Sequence, residues 1–281
     1  MSIKKLYATE EEWISTGLFN IGYYVVGGKR IRYAMSVPSD GVKPEYLVTM
    51  VGGIPRDPAR RKNLPLINKL YGLLATHLID HRMACLMYNQ PATGNSEGVW
   101  EKETLFTRSQ TLLNLAVSIG SDLGVQNHVV VGSSAGAYMA STLIDSMPGF
   151  GHTLRSLVLI SPAAYPQCVE HVPYGDKFSH MIKRDWDIVR SPVFFRLERF
   201  AGSLFVSFYA EDDPPIPKKI QDHFWYLMSH RCLTNPKTCF MTIEGVGHNF
   251  LRLNRKHRQS IINNESIIKA SNDIKDFVIG N

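Results

Sequence analysis

The chain has 281 residues, 31 basic against 25 acidic side chains, a formal charge of +6 and 44% hydrophobic residues. This balance excludes a disordered tail, a collagen-like fibre and a disulfide-stapled miniprotein, and the length suits one large α/β domain or two small ones. No run of 18 apolar residues occurs, so no segment is expected to span a bilayer; MSIKKLYATEEEW meets charge before any core of signal-peptide length, and a cytoplasmic location is the expectation.

Two β-rich runs, Ile21–Val26 and Ile31–Val37, flank Gly27-Gly28 and read as a hairpin. Tyr46–Val51 is a short apolar run ending in Gly52-Gly53, which reads as a buried strand followed by a turn. Leu64–Ile79 has helical periodicity, and Met83–Tyr88 is a second buried strand that runs into NQPATGNSEG. Glu103–Gly120 is an amphipathic helix with Leu105, Leu112, Leu115 and Ile119 on one stripe. A strand at His128–Val131, a helix at Ala135–Ser146 and a strand at Leu157–Ile160 follow. Residues 162–200 interrupt the rhythm with prolines, aromatics and charges. It resumes with strand Leu204–Tyr209, a helix at Lys218–His230, strand Thr238–Ile243 and a final helix at Gln259–Val278. Strands alternating with helices predict an α/β fold with a doubly wound, mostly parallel sheet. One domain spanning 1–281 with an insertion at about 162–200 is the economical description.

The four cysteines, Cys85, Cys168, Cys232 and Cys239, form no CxxC pair, so free thiols are expected rather than a zinc site; Cys232 and Cys239 are near enough in sequence to bridge. His77 and His81 have the i, i+4 spacing of a metal pair, but Leu78 stands where a zincin carries its Glu and no third ligand is evident.

The segment VVVGSSAGAYMA places Gly132-Ser133-Ser134-Ala135-Gly136 between a strand and a helix. This is G-x-S-x-G centred on Ser134. A serine projecting from so tight a turn has a strained backbone, and the two glycines remove side chains that would meet the neighbouring chain. The helix that follows aims its first amides at the reaction centre. Ser133 is the competing hydroxyl, one position off the pattern. A serine hydroxyl needs a base near neutrality, and that base needs a carboxylate to fix its tautomer. LFVSFYAEDDPPIP is an apolar strand ending in Glu211, Asp212 and Asp213, and TCFMTIEGVGHNF is a strand ending in a turn that carries His248. The order is Ser, acid, His, and each group falls just after a strand, where open α/β sheets place their sites.

With these three segments the chain resembles the α/β-hydrolase superfamily, in its serine-nucleophile branch, over nearly its full length. AEDDPPIP resembles the family's G-x-x-D-x-x-V-P element and implies Asp213 as the acid; VGHNF resembles its histidine loop. VGGIP resembles the HGxP turn, with Gly52 in place of His, and implies that the backbone amides of Ile54 and Ala135 form the oxyanion hole. NQPATGNSEG resembles the D-x-R-G-x-G-x-S turn with its Asp and Arg missing. A serine nucleophile is unlike the Asp-nucleophile dehalogenase and epoxide hydrolase branches. The insertion at 162–200 stands where the superfamily carries a cap, and Tyr165, Phe178, Met181, Trp186, Phe194 and Phe195 give it an apolar content suited to an acyl or aromatic substrate.

The chemistry expected is two-step acyl transfer by Ser134, His248 and Asp213 on a small-molecule acyl substrate, with no metal or organic cofactor required. Carboxylic-ester hydrolysis leads. A thioesterase, an amidase or peptidase, or a C–C hydrolase would use the same triad, and a non-catalytic binding protein would use the same fold. No nucleic-acid motif is present. The excess charge is concentrated: residues 56–62, 252–258 and 177–199 carry net charges of +3, +4 and +3, against −4 for the rest of the chain. These segments follow strand ends or lie in the insertion. They are either ordinary solvated surface or a basic rim that attracts an anionic acyl donor.

Overall fold

A computed structural model describes residues 9–39, 41–53, 55, 57–185, 191–209, 216–243, 251–254, 259–262 and 264–280. Its frame is a sheet in the order β1-β2-β4-β3-β5-β6-β7-β8. The strands are β1 (Asn20–Val26), β2 (Lys29–Ser36), β3 (Tyr46–Val51), β4 (Met83–Tyr88), β5 (Asn127–Ser133), β6 (Thr153–Ile160), β7 (Ser203–Tyr209) and β8 (Thr238–Ile243). β1 and β2 form the expected antiparallel hairpin, β2 joins β4 antiparallel, and every pair from β4 to β8 is parallel. The central strands are apolar without alternation because helices cover both faces: all of β4 and β7, and all of β3 after Tyr46, are buried.

The helices are α1 (Glu10–Ser15), α2 (Pro58–Lys62), α3 (Lys69–Leu78), α4 (Leu105–Asp122), α5 (Ala135–Ser146), α6 (Asp176–Asp185), α7 (Pro192–Arg199), α8 (Lys218–Thr234) and α9 (Asn264–Ile279). Two apolar layers result. On one face Leu112 and Leu115 of α4, Tyr138 of α5, Leu197 of α7 and Phe224 of α8 pack over Leu47, Val130 and Leu157. On the other, Trp13 of α1, Leu74 of α3 and Ile274 of α9 pack over Val48, Val131 and Phe205.

Three expectations need correction. The helix predicted from Leu64 starts at Lys69, because Asn68 caps it through a bond from Tyr71 N–H to Asn68 Oδ1 (2.9 Å) and the preceding residues are extended or bent. The final helix starts at Asn264 rather than Gln259. Residues Gln259–Ile262 instead form strand β10, which pairs antiparallel with β9 (Leu251–Asn254). The Ile261-Ile262 run fits an extended partner as readily as a helical stripe, and local pattern does not separate the two. His77 lies in α3 but His81 falls in a separate 3-10 turn at Ile79–His81, so the pair does not share one regular helix. All four cysteines are free thiols.

Candidate active site

Ser134 stands between the end of β5 and the start of α5, with φ 53° and ψ −120°. A non-glycine residue in this region costs about 1–3 kcal/mol and persists only where its surroundings hold it. Here three backbone bonds do so. Ser134 N–H donates to Ile160 C=O at the end of β6 (2.9 Å), and Ser134 C=O accepts from Ala137 N–H (3.1 Å) and Ala163 N–H (3.2 Å). The flanking glycines are required by space. A Cβ on Gly132 would lie 2.7 Å from Gly136 O, and one on Gly136 would lie 2.3 Å from Val51 O. The turn after β3 passes directly over the serine: a Cβ on Gly53 would lie 3.1 Å from Ser134 Cβ and 3.5 Å from its Oγ. Ala135, buried, opens α5, and no side chain caps that helix. Its amide thus belongs to a first turn that has no intrahelical acceptor.

Ser133 points the other way. Alternation along β5 turns it toward α3, where Tyr71 Oη lies 3.2 Å from Ser133 Oγ and donates to Val51 C=O at 3.0 Å. Burial pushes the Tyr71 phenol up to about 12, so it stays protonated and keeps donating. The two candidate hydroxyls are therefore separated by the strand: one is tied beneath the turn, the other is held at its crest.

No protein-family model and no curated protein sequence matches the chain. Solved structures do match it in shape. Est1E from Butyrivibrio proteoclasticus with ferulic acid bound superposes with a TM-score of 0.64 at 14% identity, over 92% of this chain and 98% of that one. A serine hydrolase of the α/β type without a lid, from Xanthomonas campestris, gives 0.58 at 14%, over 92% and 93%. The thioesterase domain of the curacin biosynthetic pathway gives 0.56 at 14%, over 94% and 99%. The chain has the α/β-hydrolase fold.

On this α/β-hydrolase frame, Ser134 and Ala135 meet the Gly52–Gly53 turn at one point of the sheet edge. Ile54, Asp213 and His248 lie outside the described residues. β7 ends at Tyr209 and β8 at Ile243, and both run parallel to β5 and β6, so the chain leaves both strands at the edge where Ser134 sits. In the segment 162–200, α7 packs in the helical layer between α5 and α8 through Val193, Phe194 and Leu197. Phe178 is buried against Tyr165 and Tyr174, whereas Phe195 is exposed.

Three residues at the site escape a motif search: Tyr71, Gln90 and Arg108. Gln90 Nε2 donates to Gly52 C=O (2.7 Å), and Arg108 Nη1 donates to Gln90 Oε1 (2.9 Å). Arg108 did leave a signal, since it falls on the apolar stripe of α4 between Leu105 and Leu112 and is completely buried. Of the basic segments, residues 58–62 form α2, where Arg61 lies over the Trp100 ring at 3.7 Å. Arg196 and Arg199 are paired with Asp145 of α5 at 3.1 and 3.0 Å. Those three cations are thus engaged internally, and residues 255–258 lie outside the described residues. Among the described residues no helix is long and apolar enough to cross a membrane, and no group of three His, Cys, Asp or Glu side chains is placed to hold a metal ion.

Proposed function

We propose that this chain is a serine hydrolase that cleaves a carboxylic ester through an acyl-enzyme. The observation that carries the reading is Ser134: a non-glycine residue held at φ 53° on a strand-to-helix turn, crossed by Gly53 and followed by the N-terminus of α5. Such strain at the end of a sheet serves no packing purpose, and it presents one hydroxyl to whatever lies above the edge.

In this reading Ser134 Oγ attacks the ester carbonyl carbon while His248 takes its proton. Asp213, rather than Glu211 or Asp212, holds the imidazole and stabilises its cation. The amides of Ile54 and Ala135 receive the developing oxyanion. Collapse expels the alcohol, which takes the proton from His248, and a water then attacks the acyl-enzyme by the same route in reverse. The part of the 162–200 insertion that precedes α7 acts as a cap over an apolar acyl pocket, while α7 itself belongs to the helical layer. The substrate is a small acyl compound, and no nucleic acid takes part.

The test is hydrolysis of short p-nitrophenyl esters beside the matching acyl thioesters, by wild type and by Ser134→Ala. Ester turnover that falls at least about a thousandfold in Ser134→Ala is expected. Full activity in that variant sinks the assignment of Ser134. Turnover of thioesters alone moves the reaction to the sulfur bond. A fluorophosphonate probe that fails to label the wild type, with no turnover of either substrate, leaves a binding protein.

A further inference from the structure

The Gly52–Gly53 turn packs on one side against the start of α5, where a Cβ on Gly136 would lie 2.6 Å from Gly52 O. Glycine is the most flexible residue, and a Cβ on Gly52 would meet nothing within 4 Å, so the turn is open on that side. Among the described residues its peptide direction is tied by a side-chain bond: Gln90 Nε2 donates to Gly52 C=O at 2.7 Å. Gln90 is itself buried, and its backbone carbonyl accepts from Thr93 N–H at 3.0 Å and Thr93 Oγ1 at 2.8 Å. Its amide has one carbonyl end and one amino end, and the two must face opposite partners. Arg108 decides which way round it sits. Its Nη1 donates to Gln90 Oε1 at 2.9 Å, leaving only the amino end for Gly52, and its Nη2 donates to Pro91 C=O at 2.6 Å.

This is an unusual use of a buried charge. Arg108 has no accessible surface, and no carboxylate among the described residues pairs with it: the nearby Glu103 carboxylate is taken by Lys29 Nζ (2.5 Å) and by the Thr107 hydroxyl (3.0 Å). Burial holds the guanidinium below its ordinary range. The Trp100 and Tyr174 rings lie 4.9 and 4.8 Å from its central carbon and replace part of its hydration by cation–π contact. The two described polar partners of so costly a group both belong to the turn after β4.

We infer that Arg108, acting through Gln90, is a positioning residue for the proposed reaction, setting the direction of the Gly52–Gly53 peptide that crosses Ser134. The inference rests on the proposed role of Ser134. By holding the Gly52 carbonyl on the Gln90 amide, the pair keeps that carbonyl from turning toward a developing oxyanion, which it would repel. The relay is made in the resting protein, so the oxyanion site needs no rearrangement as charge appears.

The experiment measures kcat, KM and the affinity for a trifluoromethyl ketone analogue of the acyl group in Gln90→Leu, Arg108→Met and Arg231→Met. Arg231 is the control. It is a second buried arginine, bonded to the carbonyls of Leu197, Phe200 and Gly202, far from the turn. Gln90→Leu and Arg108→Met are each expected to lower kcat about tenfold to a hundredfold, less than loss of an oxyanion donor itself, with KM within about twofold and ketone affinity falling in step with kcat. Arg231→Met is expected to lower the melting temperature and leave kcat in place. If Arg108→Met does not fold, Gln90→Leu alone cuts the link while leaving the guanidinium on Pro91. Wild-type kcat in a folded Gln90→Leu variant, with Ser134→Ala inactive, overturns the inference and spares the reading of Ser134. An active Ser134→Ala, or a wild type that neither turns over esters nor reacts with a fluorophosphonate, overturns that reading and the inference with it.

Discussion

Ser134 holds a backbone angle that serine rarely adopts, and the bonds to Ile160, Ala137 and Ala163 are what keep it there. The glycines on either side make that turn possible by leaving no side chain to collide. Gly136→Ala therefore tests the turn directly. Its methyl group would lie 2.3 Å from Val51 O and 2.6 Å from Gly52 O, which are backbone atoms with little room to retreat. A loss of about 3 kcal/mol or more in urea denaturation is expected, together with loss of ester turnover as the strand end and the Gly52 turn are forced apart. Ser134 could be read from the chain because steric need writes itself as glycine at fixed spacing. Tyr71 and Gln90 could not, since each acts through hydrogen bonds to residues distant in sequence. Arg108 was half legible: a charge on an apolar stripe announces that something unusual is buried, without saying what it touches.

At the level of elements, β5 carries a second polar feature at its opposite end. His128 Nε2 and His152 Nδ1 are 2.7 Å apart, joining the start of β5 to the turn before β6, and His152 Nε2 lies 3.3 Å from Ser121 Oγ of α4. Burial first, and the neighbouring His152 second, push His128 down to about 4, and burial lowers His152 as well. The unfolded chain takes up a proton near the ordinary histidine value of about 6.5, whereas folded His128 refuses it until about pH 4. The stabilisation is thus complete above about 6.5 and is lost as pH falls through that window, with a slope near one proton, about 1.4 kcal/mol per pH unit. His128→Gln should flatten the fall in melting temperature between pH 6.5 and 4; an unchanged slope refutes the assignment. Element boundaries were read best where a buried run met a turn, as at Tyr46–Val51 and Met83–Tyr88. They were missed where a cap or a pairing partner chose the limit, as at Asn68 and at Gln259–Ile262.

Across the whole molecule, buried charge ties separate layers together. Lys29, in the edge hairpin, reaches Glu103 just before α4; the carboxylate is fully buried and the ammonium about one-third exposed. Lys29→Met should leave that carboxylate without its cation and cost about 2 kcal/mol, below the figure for a fully buried pair because water reaches the lysine side, measured as a lowered urea midpoint. A second tie joins the segment between β6 and β7 to α5. Tyr138 donates to Glu170 (2.5 Å), and Arg196 bridges Glu170 at 3.4 Å and Asp145 at 3.1 Å. Arg196, one of the cations counted in the basic segments, is thereby used for assembly, which is why net charge by segment is a poor guide to the charge a substrate meets.

The sequence by itself determined the alternation of strands and helices, the antiparallel hairpin at the start of the sheet, and the serine at the strand–helix turn. Each is a local consequence of periodicity or of glycine spacing, written within a few residues. Only the tertiary structure decided what holds the competing hydroxyl, since Ser133 lies against Tyr71 from another helix. It also decided where the buried guanidinium of Arg108 spends its hydrogen bonds, because the partner of a buried polar group is set by how distant segments pack, and no pattern along the chain encodes that distance.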